Sequence, residues 1–310
     1  MEIKAVTVTL YTAGLAILAS YLLSGMLVMP LKKLIDVMKK VADKELNTEI
    51  PIHRLDEYGQ VGQAFNKMTH NLREAEISRK RLVEDIAHEL RTPLSIVLTK
   101  LELIQQSTSS VQPETLLPLH DEILRVKHLV EELQLLTMAE AGELKLQLEW
   151  TDLAKDLADL TELVRPEAEA NGIQFRGPDT DVTVQAFVDE RRIKQVYLNL
   201  VSNALRHTPS GGEIIVNVYE TDDSAYTVIQ VKDTGPGIPN DAIPFLFDRF
   251  YRTDHTDRKT YGGAGLGLAI TREMVFAHGG RMEVKNDGGA VFTVFLPLLY
   301  KDEIIGRPSD

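Results

Sequence analysis

The sequence predicts a membrane-anchored, multidomain chain: one transmembrane helix, a run of amphipathic helices that pairs into a dimeric four-helix bundle, and then a separate α/β sandwich. Three observations predict it. Ala5 to Met29 carries no charged residue. Apolar residues recur at three- and four-residue spacing from Phe65 to Ile104, and again from Leu116 to Leu133. From about Gly142 the pattern changes to strand-length alternation interleaved with helical stretches. A chain of 310 residues, at roughly 100–200 per domain, holds about two soluble domains. With 44% hydrophobic and 26% charged residues it is neither collagen-like, nor wholly disordered, nor a multi-span membrane protein. The net charge of −12 argues against direct nucleic-acid binding, because neutralising phosphates needs a basic surface. There is no Cys, which excludes disulfides, thiolate metal sites and a Cys nucleophile, and fits a reducing compartment.

The first element is residues 5–29. At ~1.5 Å per residue a helix of that length crosses a hydrocarbon core of ~30 Å. A signal peptide would have a shorter apolar run behind more basic residues. Here Lys4 alone precedes the run, offset by Glu2, while Lys32, Lys33, Lys39, Lys40 and Lys44 follow it. The positive-inside bias then predicts a single-pass protein of the cell membrane, in contact with lipid, with residues 30–310 cytoplasmic.

Residues 30–76 come next. Pro30 ends the apolar stretch, and Leu31, Leu34, Ile35, Met38 and Val41 recur at helical spacing. Pro51 keeps the polar stretch NTEIPIHRL out of helix. Asp56 and Glu57 then stand where carboxylates complement the open N–H groups of a second helix. With the Phe65/Met68/Leu72 seam, these features resemble a HAMP signal-relay module. The second helix continues as residues 77–140, through Leu82, Ile86, Leu90, Val97, Leu101 and Ile104. The polar stretch ending at Pro113 breaks it, and a further helix resumes. Such a narrow apolar seam belongs to a bundle, and two helices cannot enclose a core. A homodimeric four-helix bundle is therefore expected.

His88 lies on that hairpin. It follows the seam residue Ile86 by two positions, about 200° around the helix, and so faces solvent. A lone exposed His is ordinarily structural. A metal reading is poorer still, since no second His or Cys stands at ligand spacing. Its neighbours add chemistry: Glu89 can orient the imidazole or take its proton, Thr92 lies one turn on, and Pro93 removes a backbone hydrogen bond. The segment resembles the phospho-acceptor helix of sensor histidine kinases, which reads His-Glu-x-x-Thr/Asn-Pro.

Residues 141–300 form the α/β part: a mixed sheet with helices on one face, helical at about 152–171, 189–206 and 265–279, with a polar tail at 301–310. In SAYTVIQVKDTGPGI, Asp233 shares parity with Ile229 and Val231 and points to the apolar side at a strand end. Either it caps the turn, or it awaits a donor from a ligand. In the helix RRIKQVYLNLVSNALRHT, Ile193, Val196, Leu200 and Ala204 make the buried stripe. Asn199 and Asn203 share another face with Arg206, either as an exposed stripe or as carbonyls for Mg2+. GGAGLGLAI (262–270) opens a helix in glycines that allow close approach to phosphate; it has neither the Lys-Ser/Thr of a Walker loop nor a dinucleotide fingerprint.

In order, His88, Asn199/Asn203, Asp233-Thr-Gly-Pro-Gly, FDRFYR (247–252) and GGAGLGL resemble the five boxes of a histidine kinase. The last four resemble the wider ATPase superfamily with the Bergerat-type ATP-binding fold. The resemblance implies that Asn203, with Asn199, holds Mg2+ against the phosphates of ATP and that Asp233 binds adenine. Gly235 and Gly237 would shape the base pocket, and Gly263, Gly265, Leu266 and Gly267 would lie near phosphate. The segment from Pro239 to Tyr261 would be a lid anchored by Phe247 and Phe250. Arg206, Arg249 and Arg252 would be cations at the nucleotide, with Arg258 and Lys259 also in the lid. Ala264 stands where the family often has Thr or Ser.

The expected function is autophosphorylation of His88 from Mg·ATP, with Glu89 as base, then transfer to an aspartate of a response regulator, by resemblance a winged-helix DNA-binding type. Thr92 would orient water for the reverse, phosphatase reaction. The competing readings are a phosphatase-only or scaffold protein with a nucleotide-gated ATPase domain, and a membrane tether that binds ATP without turnover. Most relatives place two spans around an external sensor; this chain has one span, so either a first span and sensor precede it or the stimulus is read elsewhere.

Overall fold

The computed structural model describes residues 2–43, 45–51, 56–106, 113–223, 225–252 and 264–298. It divides into two compact units, Met1–Ala87 and His88–Asp310.

In the first unit, helix α1 runs unbroken from Glu2 to Ala42. The apolar stretch and the amphipathic turns after Pro30 are thus one helix, where the sequence suggested a boundary at residue 30. Among the described residues no helix is long and apolar enough to cross a membrane. The side chains of residues 2–9, Leu23, Met26 and Leu27 lie outside those described, and with them part of the span expected at 5–29. Helix α2, Glu57–Gln106, begins as expected at the acidic pair. Asp56 caps it, its Oδ1 accepting the Gly59 N–H at 3.2 Å. The preceding connector is pinned by Asn66, whose Oδ1 accepts the Ile50 N–H at 2.9 Å while its Nδ2 donates to the Ile50 carbonyl at 2.9 Å. One side-chain amide thereby satisfies both backbone polar groups of Ile50. Of the expected seam, Phe65 is buried but Met68 and Leu72 are exposed.

In the second unit, α2 continues through Pro93 to Gln106, and α3 spans Pro113–Glu140. The connection at 107–112 lies outside the described residues. Pro at the first position suits a helix start, where its missing N–H has no partner to lose. Leu129 and Leu136 of α3 are buried in the unit's core, whereas Leu101, Leu116, Ile123 and Val130 of the same hairpin are exposed.

The remainder is the α/β sandwich. Strands β2 (Gln174–Arg176), β4 (Glu213–Glu220), β5 (Tyr226–Asp233), β6 (Arg281–Asn286) and β7 (Ala290–Pro297) form a sheet in the order β2-β4-β5-β7-β6. The β2–β4 pair is parallel and the others antiparallel. A separate antiparallel pair joins β1 (Glu149–Asp152) to β3 (Gln185–Val188). Helices α4 (Leu153–Ala170), α5 (Glu190–His207) and α6 (Gly267–Ala277) share one core with the sheet. In β4, Ile214, Val216 and Val218 are buried while Asn217 and Tyr219 are exposed, the alternation of a sheet covered on one face. Ile193, Val196, Leu200 and Ala204 are buried as α5's periodicity requires. That stripe places Asn199, Asn203 and Arg206 off the core.

Candidate functional site

An open cleft of about 420 Å³ lies at the end of β5, lined by Asn203 and His207 of α5, Asp233, Gly237, Ile238 and Leu246, with Ala290 and Phe292 behind. Asp233 pairs with Ile214 in the strand register and is 3% exposed. Its Oδ1 accepts the N–H of Gly235 at 2.8 Å and of Ala290 at 3.2 Å. The first contact is the capping turn that the sequence allowed. Because both described contacts fall on Oδ1, the cap and a ligand role are compatible: one oxygen holds the turn and the carboxylate still lines the cleft. Gly289 brings Ala290 there. Its φ is +150°, and a Cβ at this position would lie 2.0 Å from the Asp233 carbonyl oxygen.

The cleft floor is held from outside. Asn286 Oδ1 accepts the Ile238 N–H at 2.9 Å and Nδ2 donates to the Ile238 carbonyl at 2.7 Å, fixing the backbone beside Gly237. Sequence reasoning missed Asn286, which sits on an edge strand in no recognisable motif.

The paired asparagines separate. Asn203 lines the cleft. Asn199 turns to α6, donating from Nδ2 to the Gly267 carbonyl at 3.2 Å and to Thr271 Oγ1 at 3.3 Å. Among the described residues no cluster of three His, Cys, Asp or Glu could hold a metal. In the cleft the Asn203 side chain stands beside the Asp233 carboxylate, and an amide carbonyl suits Mg2+ when phosphates and water complete its shell.

The glycine turn leads into α6 through Leu266, whose side chain is fully buried in the core, so its backbone alone can face the site. Among the described residues no side chain caps α6, and N–H groups at the first turn of a helix suit an anion. Gly265 has φ +74°, and a Cβ there would lie 2.9 Å from Phe250 Cα. Phe250 itself has φ +59° and donates its N–H to the Gly265 carbonyl at 3.0 Å. The two motifs FDRFYR and GGAGLGL thus meet backbone to backbone. Gly263, Arg258, Lys259 and Tyr261 lie outside the described residues.

The cations divide as well. Burial and the neighbouring charge of Arg252 hold the Arg206 guanidinium below its ordinary pKa. Arg249, grouped by the sequence with the nucleotide contacts, instead forms an ion pair with Glu140, the last residue of α3. Nothing in the sequence signals that partner.

His88 is exposed on α2, as its place opposite Ile86 requires; Glu89 is half-buried, Thr92 exposed and Pro93 buried. Leu90 packs against the core cluster that contains Leu129 and Leu136. Sequence reasoning also missed His278 and Asp189. His278 Nδ1 lies 2.7 Å from the Met274 carbonyl, and its Nε2 accepts the Asp189 N–H at 3.1 Å.

Comparisons with known proteins agree with this layout. Residues 22–74 match the HAMP domain family, residues 78–142 the His Kinase A (phospho-acceptor) domain, and residues 188–300 the Histidine kinase-, DNA gyrase B-, and HSP90-like ATPase. The chain is 35% identical over 288 residues to the signal transduction histidine-protein kinase BaeS of Escherichia coli (strain K12), covering 92% of this chain and 61% of BaeS. It is 33% identical to the histidine-protein kinase/phosphatase MprB of Mycobacterium sp. (strain KMS), covering 94% of this chain and 58% of MprB. The chain therefore spans about three-fifths of these relatives. A crystal structure of full-length ShkA in complex with AMPPNP superposes with a TM-score of 0.53 at 28% identity, over 71% of this chain and 47% of ShkA.

Proposed function

Because the chain belongs to the sensor histidine kinases of two-component systems, we propose that it phosphorylates its own His88 from Mg·ATP and passes the phosphoryl group to an aspartate of a separate response regulator. The observation that carries this reading is Asp233: a buried carboxylate, one oxygen held by two backbone N–H groups, lining a cleft. A carboxylate there selects a ligand that donates a hydrogen bond, as the exocyclic amine of adenine does. The base lies against Asp233 and the Gly237–Ile238 floor, and the phosphates extend toward Arg206, Arg252 and the Gly265–Gly267 turn. Asn203 would hold Mg2+, which would neutralise phosphate charge, and Asn199 braces the two helices beside it.

In the transfer, a ring nitrogen of His88, Nε2 by family resemblance, forms a bond to the γ-phosphorus as the bond to the ADP oxygen breaks. Glu89 takes the proton from the other ring nitrogen. Positioning and charge neutralisation carry most of the acceleration in such reactions. Incubating the chain with γ-labelled ATP and then with a receiver domain tests the reading: label moves from the kinase to the regulator. A chain that binds ATP and labels neither itself nor a regulator returns the protein to the scaffold class.

A phosphatase activity toward the phosphorylated regulator belongs to the same proposal, with the Thr92 hydroxyl, exposed one turn from His88, orienting the attacking water. Thr92→Ala is expected to keep autophosphorylation within about twofold and to lower dephosphorylation of the regulator at least tenfold, since positioned acid–base groups contribute about 10²–10⁴. Unchanged phosphatase turnover in that variant removes Thr92 from the role.

The setting follows from exposed apolar surface. Leu10, Leu15, Ile17 and Leu18 of α1 are all more than half exposed. A helix apolar on every side needs lipid or protein around it, and the following lysines favour the cytoplasmic side. These features support the reading of a single-pass protein of the cell membrane with residues 30–310 in the cytoplasm. Leu101, Leu116, Ile123 and Val130, exposed on the hairpin, supply the face that a second copy covers in a homodimeric bundle.

A further inference from the structure

Helices α5 and α6 frame the proposed nucleotide site and are tied together twice. Near the site, Asn199 donates to the first turn of α6. At the other end His278, the residue that caps the C-terminus of α6, reaches the residue that caps the N-terminus of α5. His278 Nε2 accepts the Asp189 N–H at 3.1 Å, and Nδ1 lies 2.7 Å from the Met274 carbonyl. Asp189 is 4% exposed and fully used: Oδ1 accepts the Arg192 N–H at 3.0 Å and Oδ2 the Gln147 N–H at 2.9 Å.

Only one protonation state of the ring satisfies these contacts. Nε2 must offer a lone pair to the Asp189 N–H, so the single proton sits on Nδ1 and is donated to Met274. A second proton would set Nε2–H against the Asp189 N–H, donor against donor, inside the domain.

We propose that His278 is a positioning residue for nucleotide binding: its neutral ring fixes α5 against α6, and with them Asn203 against the Gly265–Gly267 turn, and its protonation releases that register. The inference rests on the nucleotide reading above. The electrostatics agree. Burial holds the imidazole below its ordinary 6.5, outweighing the Met274 carbonyl and the Asp189 carboxylate, which favour the cation; Arg192 opposes it. Asp189, which caps α5, and Arg192, in its first turn, are the charged groups that face the ring among the described residues. Burial works to raise the Asp189 carboxyl, but the Gln147 and Arg192 N–H donors outweigh it and keep it ionised in this range. Since the folded value is depressed, the tie is intact above the ordinary value of 6.5 and is lost as pH falls through the lowered one.

The test is the affinity of the full chain for trinitrophenyl-ATP between pH 7.5 and 5.5, for wild type, His278→Gln and His278→Ala. Other groups at the site and on the nucleotide also respond to pH, so the difference between wild type and His278→Gln is the measure. Glutamine offers Asp189 a carbonyl acceptor that does not titrate. It should bind as wild type does at pH 7.5 and lose less affinity on acidification, by about three- to tenfold. His278→Ala should bind about tenfold more weakly at pH 7.5. Parallel pH curves for wild type and His278→Gln overturn the proposal, even if alanine fails to fold. Absence of nucleotide binding by wild type at pH 7.5 removes the nucleotide reading and this inference together.

Discussion

His88→Gln is expected to abolish acid-labile labelling of the chain by γ-labelled ATP, by at least ~10³-fold, while nucleotide affinity stays at its wild-type value. The two halves of that result come from different parts of the second unit. His88 is exposed on α2 and does not line the cleft, so glutamine there removes a nucleophilic nitrogen and little else. Surface substitutions of this kind change stability by about 0.5 kcal/mol or less. Labelling that survives points to another acceptor. His120 and His128 on α3 are also exposed, with side chains 67% and 69% accessible, and would be the next to replace.

Asp233→Asn should weaken nucleotide binding strongly and leave the domain folded. The asparagine carbonyl can accept both the Gly235 and the Ala290 N–H, so the turn and the approach of β7 are kept. The second position changes from acceptor to donor. An adenine amine then meets an amide N–H where it had met a carboxylate oxygen. Losing that hydrogen bond and leaving both donors buried should weaken ATP by on the order of 100-fold, about 2.8 kcal/mol. Asp233→Ala would confound the measurement, because it also strips the half-buried Gly235 N–H and the buried Ala290 N–H of their partner, the latter at roughly 1–3 kcal/mol. Isothermal titration with an ATP analogue, beside thermal unfolding, separates the effects. Wild-type affinity in the asparagine variant would exclude Asp233 from base recognition.

What the sequence made legible is local. The stripe Ile193–Ala204 and the cap at Asp56 depend on neighbours within a few positions, and both are where periodicity and helix-end chemistry put them. The solvent exposure of His88 follows from the same rule. Strand β2, with three residues, is too short to show a period, and β6 is a mostly polar edge strand whose two apolar residues, Met282 and Val284, are only partly buried. The contacts that hold the cleft are further apart still. Glu140–Arg249 spans 109 positions, Asp189–His278 spans 89 and Ala290–Asp233 spans 57. Each is an ordinary residue made special by tertiary placement, and no local pattern encodes that. Arg249 shows the same limit: the motif grouped it with the nucleotide, and its ion pair with an acidic helix end has no local signal.

The left-handed backbone of Phe250 has an energetic meaning of its own. A non-glycine residue held at φ +59° carries about 1–2 kcal/mol of strain, a factor of roughly 5–30 in population. Its N–H bond to Gly265 and the close fit of that glycine keep it there. Any rearrangement that lets Phe250 return to negative φ is favoured by that factor before other contacts are counted. The turn where FDRFYR meets the glycines therefore stores strain that its holding contacts must outweigh, so that weakening them is amplified in the release of the turn.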